Sequence, residues 1–575
     1  MDARLRALDD RIVSRISSTL RVRPATARCL VARGVTEPSE AQGFIDPRLA
    51  ALRPPQGLAG MAPAVGRIAD AVERGERIGV FGDYDVDGVT TAALLTSFLR
   101  SAGAMVECAV ARRDAGYGFT TQAAADFAQR DCKLVVTGDC GTNDLEAILA
   151  GAALGIEVIV VDHHTVPAAG TVHPSFSLVN PFRTDSTFPF RGMASVGLAF
   201  YVAASVRTEL RDRGWFRTRP EPDVRDLLDL VALGTVADLV PLNAENRILT
   251  ALGMRRLQSR ARPGIAALLA SANVDPDREI DARTIAFKLA PRLNAPGRLG
   301  AAEPSLSLLL SEHGDAMQRA EVLEQANTER RSIQDRVVEE ALARLEGQEI
   351  GPAIVLAGEN WPMGVVGIVA AKLVDKYQRP AFVIGLDPVA GIGRGSARTR
   401  TGVSLYEALH QAAQDPRTGL QRWGGHAMAA GFTVGYENIA ALTEALGVAC
   451  GKLAEGSGPV STHVEIDAEV HLGEVDERLA QELAGLGPFG QNNPNPVLVT
   501  RAAKVTSVRR VGDGKHLKLT VEDREHTSRD AIGFGLGERP VEVGAHLDLA
   551  FVPKVSTWQG RRNAELEVSD LAIVS

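Results

Sequence analysis

The sequence is poor in cysteine and aromatic residues, and it has no apolar run long enough to cross a bilayer. Its cysteines form neither a Cys-x-x-Cys pair nor a regular disulfide framework (Cys29, Cys108, Cys132, Cys140 and Cys450). The N-terminus, MDARLRALDD, is charged and is not typical of an export signal. These absences predict free thiols, no membrane span and a cytoplasmic location.

An excess of positive charge is also lacking, since the 575 residues carry a formal net charge of −8. Bulk charge therefore argues mildly against a nucleic-acid partner. A carboxylate cluster that binds a metal adds negative charge that the metal cancels locally, so the net charge does not exclude such a partner. Aromatic residues make up 5% of the chain and leave few rings to stack on bases.

The chain is too long for one hydrophobic core, and its patterns divide it into several parts. Apolar β-rich runs alternate with alanine-rich helical stretches, which predicts a parallel α/β sheet. These runs lie at 78–81, 106–110, 134–137 and 158–161. A second α/β pattern follows a long charged amphipathic stretch, and the last region alternates short β-rich runs with turns, as in a small all-β barrel.

We therefore predict an α/β protein with two α/β lobes joined by a long helix and followed by a C-terminal all-β, OB-like barrel. The predicted parts are an N-terminal helical cap (1–55), a first lobe with a helical extension (56–314), the connecting helix (315–347), a second lobe (348–458) and the barrel (459–575).

The segment VFGDYDVDGVT places Asp83, Asp85 and Asp87 at alternate positions between an apolar run and a helical pattern. Alternate side chains of an extended segment point the same way, so these carboxylates would crowd together and raise one another's pKa. A positive partner is needed to offset their repulsion.

Further acidic and histidine segments lie in the same predicted lobe. Asp139 and the pair His163 and His164 follow apolar strands, so we expect them at the same sheet edge as the aspartates, while Asp238 ends an apolar helical run. Each segment alone is more often a turn, a helix cap or a solvated pair, but the combination predicts a shared metal site. Such ligands suit Mn²⁺ or Mg²⁺, and bridging carboxylates permit two ions roughly 3.5–4 Å apart.

These segments also resemble a known family. Asp162-His163-His164 is the motif of the DHH phosphoesterase superfamily, and GDYDVDGVT is similar to its first motif. GTVADLVPL, PRLNAPGRLG and GGHAMAAG follow in the expected order, and together they resemble the RecJ type of single-strand-specific DNA exonuclease from about residue 70 onward. The resemblance implies a DHH lobe, a DHHA1-like lobe and an OB-like barrel. It also implies metal-dependent 5′-to-3′ removal of nucleotides from single-stranded DNA in repair and recombination.

The same resemblance implies roles for the motif residues. The candidate metal ligands are Asp83, Asp85, Asp87, Asp139, His163 and Asp238. Asp87, His163 and His164 are the candidate catalytic residues, and His164 would stabilise charge or shuttle a proton. Asp83 and His164 would support the ligands by hydrogen bonding or contact with the scissile phosphate. Water activated by one ion would attack phosphorus in line, while a second ion stabilises the leaving 3′ oxygen.

Several arginines in glycine-rich segments are candidate phosphate contacts, because arginine forks match phosphate oxygens. Any one of them alone could equally be a solvated loop residue. The resemblance favours a pocket for a terminal 5′ phosphate and the phosphates next to it, with His426 opposite the metal site. The candidate substrate-binding residues are Arg112, Arg298, Arg394, Ser396, Arg398 and His426.

In the predicted barrel, residues 501–518 carry six basic residues against the single acid Asp513. This segment suits a groove that tracks a single strand, or else a solvated hairpin face. Trp558 and Phe551 are the candidate stacking aromatics. The chain departs from the family pattern at Ala111, Gly138, Thr142, Pro362 and Ala397, none of which is a candidate metal ligand.

Two alternatives remain open at this point. Similar DHH phosphodiesterases act on short oligonucleotides, cyclic dinucleotides or pyrophosphate, but they generally lack the barrel. A scaffold protein that has lost catalysis would show substituted ligands, whereas every motif acid and histidine is intact. The resemblance alone implies single-strand-binding protein and a RecQ-like helicase as partners, and nothing demands more than a monomer.

Overall fold

The computed structural model describes residues 3–113, 116, 118–166, 172–312, 314–456, 463–558 and 561–574. It confirms the predicted fold class: two α/β lobes are joined by a long helix and followed by a closed β-barrel. Among the described residues, no helix is both long and apolar enough to span a membrane.

The N-terminal segment packs against the C-terminal barrel. It comprises β1 (Ala3–Leu5), α1 (Asp10–Leu20), α2 (Pro24–Val31) and α3 (Pro38–Ile45). Proline at the first turn suits α2 and α3, because that position has no intrahelical acceptor for an N–H group. Ile16 and Leu30 are fully buried in one apolar core with the barrel residue Phe551. β1 also pairs in parallel with Val464–Ile466, far along the chain.

The first lobe contains a five-stranded parallel sheet with the order β3-β2-β4-β5-β6. Its elements are α4 (Met61–Arg74), β2 (Arg77–Gly82), α5 (Val86–Ser101), β3 (Met105–Val110), α6 (Thr121–Gln129), β4 (Leu134–Gly138), α7 (Leu145–Ala153), β5 (Glu157–Val161) and β6 (Ser177–Val179). From β2 the chain passes to β3 on one side, and it then crosses back to β4 on the other side of β2. The ends of β2 and β4 therefore form a topological switch point, where open α/β sheets carry their sites.

A helical extension covers one side of this sheet. It comprises α8 (Ser195–Asp212), α9 (Leu228–Ala237), α10 (Ala244–Gln258), α11 (Pro263–Ser271), α12 (Ala282–Thr284), α13 (Ala290–Leu299) and α14 (Glu303–Leu309). A π-helical turn, Ile285–Leu289, joins α12 to α13. Pro291 lies in the first turn of α13, whereas Pro296 lies inside the helix and lacks the N–H group that an α-helix requires there, so this PRLNAPGRLG helix is locally irregular.

The connecting helix α15 (Ala316–Leu345) contributes to both lobes. Its buried residues recur at spacings of three or four, which keeps them on one face. The stripe is apolar at its start, where Leu323 joins the core of the first lobe. It is apolar again at its end, where Val337 joins the core of the second lobe. Between them the buried positions are polar: Asn327, Arg330 and Gln334.

The second lobe is a mixed five-stranded sheet with the order β10-β11-β9-β8-β7. Its elements are β7 (Ile354–Glu359), α16 (Met363–Tyr377), β8 (Ala381–Asp387), β9 (Ile392–Arg398), α17 (Leu405–Ala412), β10 (Leu420–Gly425), β11 (Ala429–Gly435) and α18 (Ile439–Gly456). α16 packs with α15 on one face of the sheet, and α17 and α18 pack on the other face.

The C-terminal barrel closes because β14 pairs with both β15 and β17. This part comprises β12 (Val464–Ile466), β13 (Ala468–Glu469), α19 (Glu477–Ala484), β14 (Leu498–Val511), β15 (His516–Glu522), β16 (Ser528–Gly533), β17 (His546–Trp558) and β18 (Arg561–Val574). The prediction of an all-β region missed the helix α19. Its buried face, which includes Leu479 and Leu483, contacts the core that the barrel shares with the N-terminal helices.

Candidate metal centre

The ends of three neighbouring strands place acidic residues side by side. Gly82, Gly138 and Val161 are aligned across β2, β4 and β5. The residues that follow them are Asp83, Asp139 and Asp162, and all three are buried. Strand register alone therefore brings three carboxyl groups to one edge of the sheet.

The imidazole of His163 lies among carboxylates from three other segments. Its Nε2 atom is 3.3 Å from Asp139 Oδ1 and 3.5 Å from Asp238 Oδ2. The same atom is 3.9 Å from Asp87 Oδ2. A cation placed among these atoms would have both oxygen and nitrogen donors around it.

A second group of oxygen donors lies beside the first. Single donor atoms of Asp83, Asp85 and Asp139 all lie within 4.8 Å of one another. Asp139 therefore belongs to both groups, and it also forms a third such group with His163 and His164. A carboxylate shared in this way is what a pair of bridged divalent ions requires.

Helix ends position two of these carboxylates. Asp85 is the N-cap of α5, and its side chain accepts a hydrogen bond of 3.0 Å from the Gly88 backbone N–H. Asp87, in the first turn of α5, accepts hydrogen bonds of 2.7 and 2.9 Å from the backbone N–H groups of Ser195 and Val196, where α8 begins. These contacts fix the carboxylates in orientation while placing them near positive helix ends.

The turn between β2 and α5 is tight because it contains glycine. A Cβ atom added to Gly88 would lie 2.5 Å from the backbone N and O atoms of Asp83. Asp139 adopts φ of 63°, a left-handed conformation that is uncommon for a residue with a side chain. Residues held in such conformations cluster at functional sites.

Asp162 supports the two histidines rather than joining the donor groups. Its carboxylate accepts hydrogen bonds from the backbone N–H groups of His163 (2.7 Å), His164 (3.1 Å) and Thr142 (3.1 Å). It also lies 2.7 Å from Nδ1 of His164. Asp162 received no role from the sequence, although a buried acid directly before two histidines is a recognisable signal for one.

Burial and mutual repulsion shift the pKa values of the aspartates upward. Burial, followed by the charge of Asp85, raises the pKa of Asp83 to about 8 and that of Asp87 to about 7. Burial, followed by the charges of Asp87 and Asp85, raises the pKa of Asp238 to about 9. Without a cation, the protein stabilises the protonated forms of these acids.

The pKa values of the two histidines shift in opposite directions. Burial, together with the charge of His164, lowers the pKa of His163 to about 4. Burial acts in the same sense on His164, but its hydrogen bond with Asp162 outweighs burial and raises its pKa to about 9. A neutral His163 suits a metal ligand, whereas a cationic His164 suits a neighbour of an anion.

The donor set fits a divalent cation such as Mn²⁺ or Mg²⁺. Among the described residues, the buried oxygens Asp83 Oδ1 and Asp238 Oδ2 have no hydrogen-bond donor. Carboxylates that are buried, crowded and unsatisfied are stabilised by a bound cation. Oxygen ligands with one or two imidazoles, and no thiolate, match the preference of these ions.

A group of arginines lies where the two lobes meet. Arg298, at the end of α13, donates a hydrogen bond of 3.0 Å to the Gly364 carbonyl at the start of α16. Arg398 donates one of 3.0 Å to the Ser396 hydroxyl. Burial, followed by the charges of Arg113, Arg330 and Arg398, lowers the pKa of Arg298 to about 10. The guanidinium groups are thus close enough to destabilise one another's charge, as in an anion-binding pocket.

Two members of this group were missed by the sequence analysis. Arg113 stacks on the Tyr84 ring at 4.1 Å and donates to the Gly297 carbonyl. Arg330 is 8% exposed, and its two Nη atoms donate to the amide oxygens of Asn327 and Gln334. The sequence does contain a signal for Arg330. This residue occupies a position of α15 where the three- and four-residue spacing predicts a buried side chain.

The other candidate substrate-binding residues lie on the surface. Arg394 and His426 are exposed in the second lobe. Arg112 is exposed in the first lobe, and its backbone forms a β-bridge with Ala301. The structure therefore brings Arg298, Ser396 and Arg398 close to the lobe junction. Arg112, Arg394 and His426 are instead exposed on the surfaces of the two lobes.

The structure bears on the expected stacking aromatics and on the expected basic segment of the barrel. Phe551 is wrong as a stacking residue, because its side chain is fully buried in the core. The side chain of Trp558 lies outside the described part of the structure. The basic segment is also partly neutralised: Arg501 pairs with Asp548 at 2.8 Å, and Lys518 lies 3.8 Å from Glu565.

Family models match three parts of the chain. They describe the DHH family, N-terminal domain, at residues 77–235, the DHHA1 domain at 350–452 and the RecJ OB domain at 466–570. The three matches agree with the order in which the lobes and the barrel occur.

Individual relatives extend the match over nearly the whole chain. The single-stranded-DNA-specific exonuclease RecJ of Bacillus subtilis (strain 168) is 35% identical over 570 residues, which cover 98% of this chain and 69% of the relative. RecJ of Escherichia coli (strain K12) is 34% identical over 567 residues, covering 95% of this chain and 96% of the relative.

A solved structure shows the same fold. The crystal structure of RecJ in complex with Mn²⁺ from Thermus thermophilus matches with a TM-score of 0.82 and 27% identity, over 99% of this chain and 79% of that one. RecJ from the same organism in complex with Mg²⁺ matches with a TM-score of 0.77. On these matches, the chain belongs to the RecJ family of single-stranded-DNA-specific exonucleases.

Proposed function

We propose that this protein is a Mn²⁺- or Mg²⁺-dependent exonuclease that removes nucleotides from the 5′ end of single-stranded DNA, in repair and recombination. One observation carries the proposal: acidic and imidazole groups from four segments converge in one buried site beside an arginine pocket. Membership of the RecJ family supports the choice of substrate.

The proposed metal ligands divide into two sets that share one residue. Asp87, Asp139, His163 and Asp238 would hold one ion, and Asp83, Asp85 and Asp139 would hold the other. When bound, such ions supply Lewis acidity, which polarises the scissile phosphate and activates water near neutral pH.

The remaining residues of the site position and stabilise the substrate. His164, protonated and oriented by Asp162, places a positive charge beside the scissile phosphate. The backbone N–H groups of Ser195 and Val196 hold Asp87 in one orientation, so the ligand set is formed before substrate arrives. His163 is neutral over the working pH range and keeps a lone pair available for an ion.

The arginine pocket explains why cleavage would begin at an end. Arg298, Ser396 and Arg398 are proposed to hold the terminal 5′ phosphate. Arg330, on α15, adds positive charge to this pocket. Arg112, Arg394 and His426 are proposed to contact the phosphates next to it. A pocket that is satisfied only by a terminal phosphate favours an exonuclease over an endonuclease.

Digestion of a 5′-phosphorylated 20-nucleotide strand tests the proposal. We expect the wild-type protein with Mn²⁺ to release nucleotides from the 5′ end, and chelation to abolish release. Asp139→Asn should lose activity by at least about a hundredfold, because Asp139 serves both donor groups. Asp185→Asn, on the surface of the same lobe, is the control. Release from the 3′ end, or no release from the long strand, would refute the proposal.

Two alternatives are decided by the same assay. A phosphodiesterase for short substrates would hydrolyse a dinucleotide and leave the 20-nucleotide strand intact. A scaffold protein would hydrolyse neither substrate, and His163→Ala would cause no loss of hydrolysis. The complete ligand set and the C-terminal barrel favour the exonuclease over both.

Further expectations belong to this proposal. A cytoplasmic location, a monomeric state, single-strand-binding protein and a RecQ-like helicase as partners all remain predictions. The domain boundaries proposed from the sequence, at about residues 55, 314, 347 and 458, likewise remain predictions.

A further inference from the structure

Asp139 provides the carboxylate that the proposed metal centre shares. It belongs with Asp83 and Asp85 to one group of donor atoms, and with His163 and His164 to another. Its Oδ1 atom lies 3.3 Å from Nε2 of His163. The orientation of this one side chain therefore affects both groups of donors.

The backbone of Asp139 is fixed on both sides. Its N–H group donates a hydrogen bond of 3.1 Å to the Val161 carbonyl at the end of β5. The Thr137 hydroxyl donates one of 2.9 Å to the Cys140 carbonyl, which closes the turn that carries Asp139. The freedom that remains is rotation of the Asp139 side chain.

A serine hydroxyl restrains the carboxylate itself. Within the described part of the chain, the hydrogen-bond donor to this carboxylate is Ser195, whose Oγ atom lies 3.2 Å from Asp139 Oδ1. Asp87, by contrast, is held by two backbone N–H groups. A carboxylate oxygen has two lone pairs, so Asp139 Oδ1 can accept from Ser195 and still face a cation.

The Ser195 side chain does not cap its own helix. A serine at a helix start commonly occupies the N-cap and accepts a hydrogen bond from a backbone N–H group of the first turn. Here Ala194 is the N-cap of α8, and Ser195 is the first helical residue. Its side chain is fully buried and donates to Asp139, while its backbone N–H donates a hydrogen bond of 2.7 Å to Asp87. Ser195 thus contacts two proposed ligands from different segments.

The two groups of donors depend on Asp139 to different degrees. Around His163, the carboxylates of Asp87 and Asp238 would remain if the Asp139 side chain turned away. The other group would retain only two carboxylates. Because the affinity for a divalent ion falls with the number of charged ligands, this smaller group should lose more affinity.

We propose that Ser195 is a positioning residue, whose hydroxyl holds the Asp139 carboxylate where both groups of donors share it, so that the protein binds two divalent ions instead of one. This inference rests on the proposed function, since it uses the same metal ligands. It deepens that function by naming the residue on which the ion at Asp83, Asp85 and Asp139 depends. Ser195 acts through Asp139 and does not itself contact substrate.

Titrations with Mn²⁺ in the absence of DNA test this role separately from hydrolysis. Electron paramagnetic resonance measures free Mn²⁺, and two ions that share a carboxylate give a spin-coupled spectrum. For the wild-type protein we expect two ions per chain and the coupled spectrum. In Ser195→Ala the Kd of the weaker ion should rise about tenfold, while the Kd of the tighter ion should change less than about threefold. Unchanged Kd values, an equal rise in both, or a single ion in the wild-type protein would overturn the proposal.

Ser305→Ala is the matched control. Ser305 is also fully buried in the first lobe, where its hydroxyl donates a hydrogen bond of 2.7 Å to the Leu293 carbonyl. Each variant loses one buried hydrogen bond, so both should lower the thermal midpoint by a similar amount. Only Ser195→Ala should weaken Mn²⁺ binding. A matching loss of Mn²⁺ binding in Ser305→Ala would reduce Ser195 to a general packing role.

A double-mutant cycle shows whether Ser195 acts through Asp139. If it does, adding Ser195→Ala to Asp139→Asn should change the Kd of the remaining Mn²⁺ ion less than about twofold, because the carboxylate that the serine orients is already absent. A further loss of about tenfold in the double variant would show that Ser195 acts on another ligand, and the proposal would fail.

Hydrolysis of the 5′-phosphorylated 20-nucleotide strand separates this inference from the proposed function. In Ser195→Ala we expect the Mn²⁺ concentration for half-maximal rate to rise about tenfold, and kcat to return close to the wild-type value at saturating Mn²⁺. If Ser195→Ala loses the weaker ion but the wild-type protein releases no nucleotides from the 5′ end, the proposed function fails and the role of Ser195 stands. If the wild-type protein hydrolyses the strand and Ser195→Ala binds Mn²⁺ as tightly as wild type, the role of Ser195 fails and the proposed function stands.

Discussion

The Asp162 carboxylate and the Nδ1 atom of His164 lie 2.7 Å apart, although only one residue separates them in sequence. The same carboxylate accepts hydrogen bonds from the backbone N–H groups of both histidines. A single buried acid therefore sets the backbone of the His163–His164 pair and the protonation of one of its rings. Carboxylate–histidine contacts of this kind orient groups at metal sites.

Replacing Asp162 should impair catalysis without removing any proposed metal ligand. We expect Asp162→Asn to lower kcat by about ten- to a hundredfold, because His164 would lose the partner that keeps it oriented and charged. The measurement is hydrolysis of a 5′-phosphorylated strand with saturating Mn²⁺, with circular dichroism to verify folding. Asp185→Asn is the matched surface control. Wild-type kcat in a folded Asp162→Asn protein would refute the supporting role.

The stability of the metal-free protein should decrease as pH rises. The pKa values of Asp83, Asp87 and Asp238 rise from 3.8 to about 8, about 7 and about 9. The folded protein thus retains protons that the unfolded chain releases, so the unfolding free energy falls between about pH 4 and about pH 9. Thermal midpoints in a chelator, measured across this range, check the sign.

Added Mn²⁺ should reverse this trend, because the ion binds deprotonated ligands and its stabilising effect grows with pH. Asp238→Asn should flatten the metal-free profile at its alkaline end. A metal-free protein that became more stable between pH 6 and pH 9 would contradict the burial of these acids.

Arg330 should affect recognition of the 5′ phosphate. We expect Arg330→Gln to raise KM for 5′-phosphorylated strands about tenfold, while KM for 5′-hydroxyl strands changes little, since the phosphate pocket loses one positive charge. Its neighbour Arg331, exposed on the same helix, provides the control Arg331→Gln. If both variants change KM equally, or if both kinds of end respond equally to Arg330→Gln, Arg330 lies outside the pocket.

Two glycines of the first lobe should respond oppositely to alanine. In Gly88→Ala the added Cβ would lie 2.5 Å from the backbone of Asp83, so we expect a loss of about 1–3 kcal/mol in unfolding free energy and weaker metal binding. In Gly66→Ala the Cβ meets no atom within 4 Å inside α4, and helix propensity should add up to about 1 kcal/mol. Urea unfolding of both variants measures the difference.

The arrangement of the acidic segments could be predicted because strand order and strand ends follow simple rules. Asp83 and Asp139 come directly after buried strands, and parallel strands end at one edge of the sheet. Asp238 could be assigned to the end of an apolar helix, where the structure has the C-cap of α9. In each case a local pattern of residues was enough.

Features that depend on long-range packing could not be predicted. Arg330 was not singled out within the long charged amphipathic helix, because a sequence does not show which of its polar residues are buried when both lobes pack against α15. Phe551 was assigned to a binding face because one strand has two faces, and only the pairing of β17 with β14 and β18 determines which face is buried.

The docking of the first helices on the barrel has a consequence for synthesis on the ribosome. Arg23 donates its backbone N–H to Glu482, and residues 13–41 share one apolar core with residues 468–571. At ordinary rates of translation, the partner strands emerge roughly 20 to 90 s after these helices. During that interval the amphipathic N-terminal helices expose apolar side chains with no native surface to cover them. The native core of the N-terminal segment therefore forms only after the barrel strands have been synthesised.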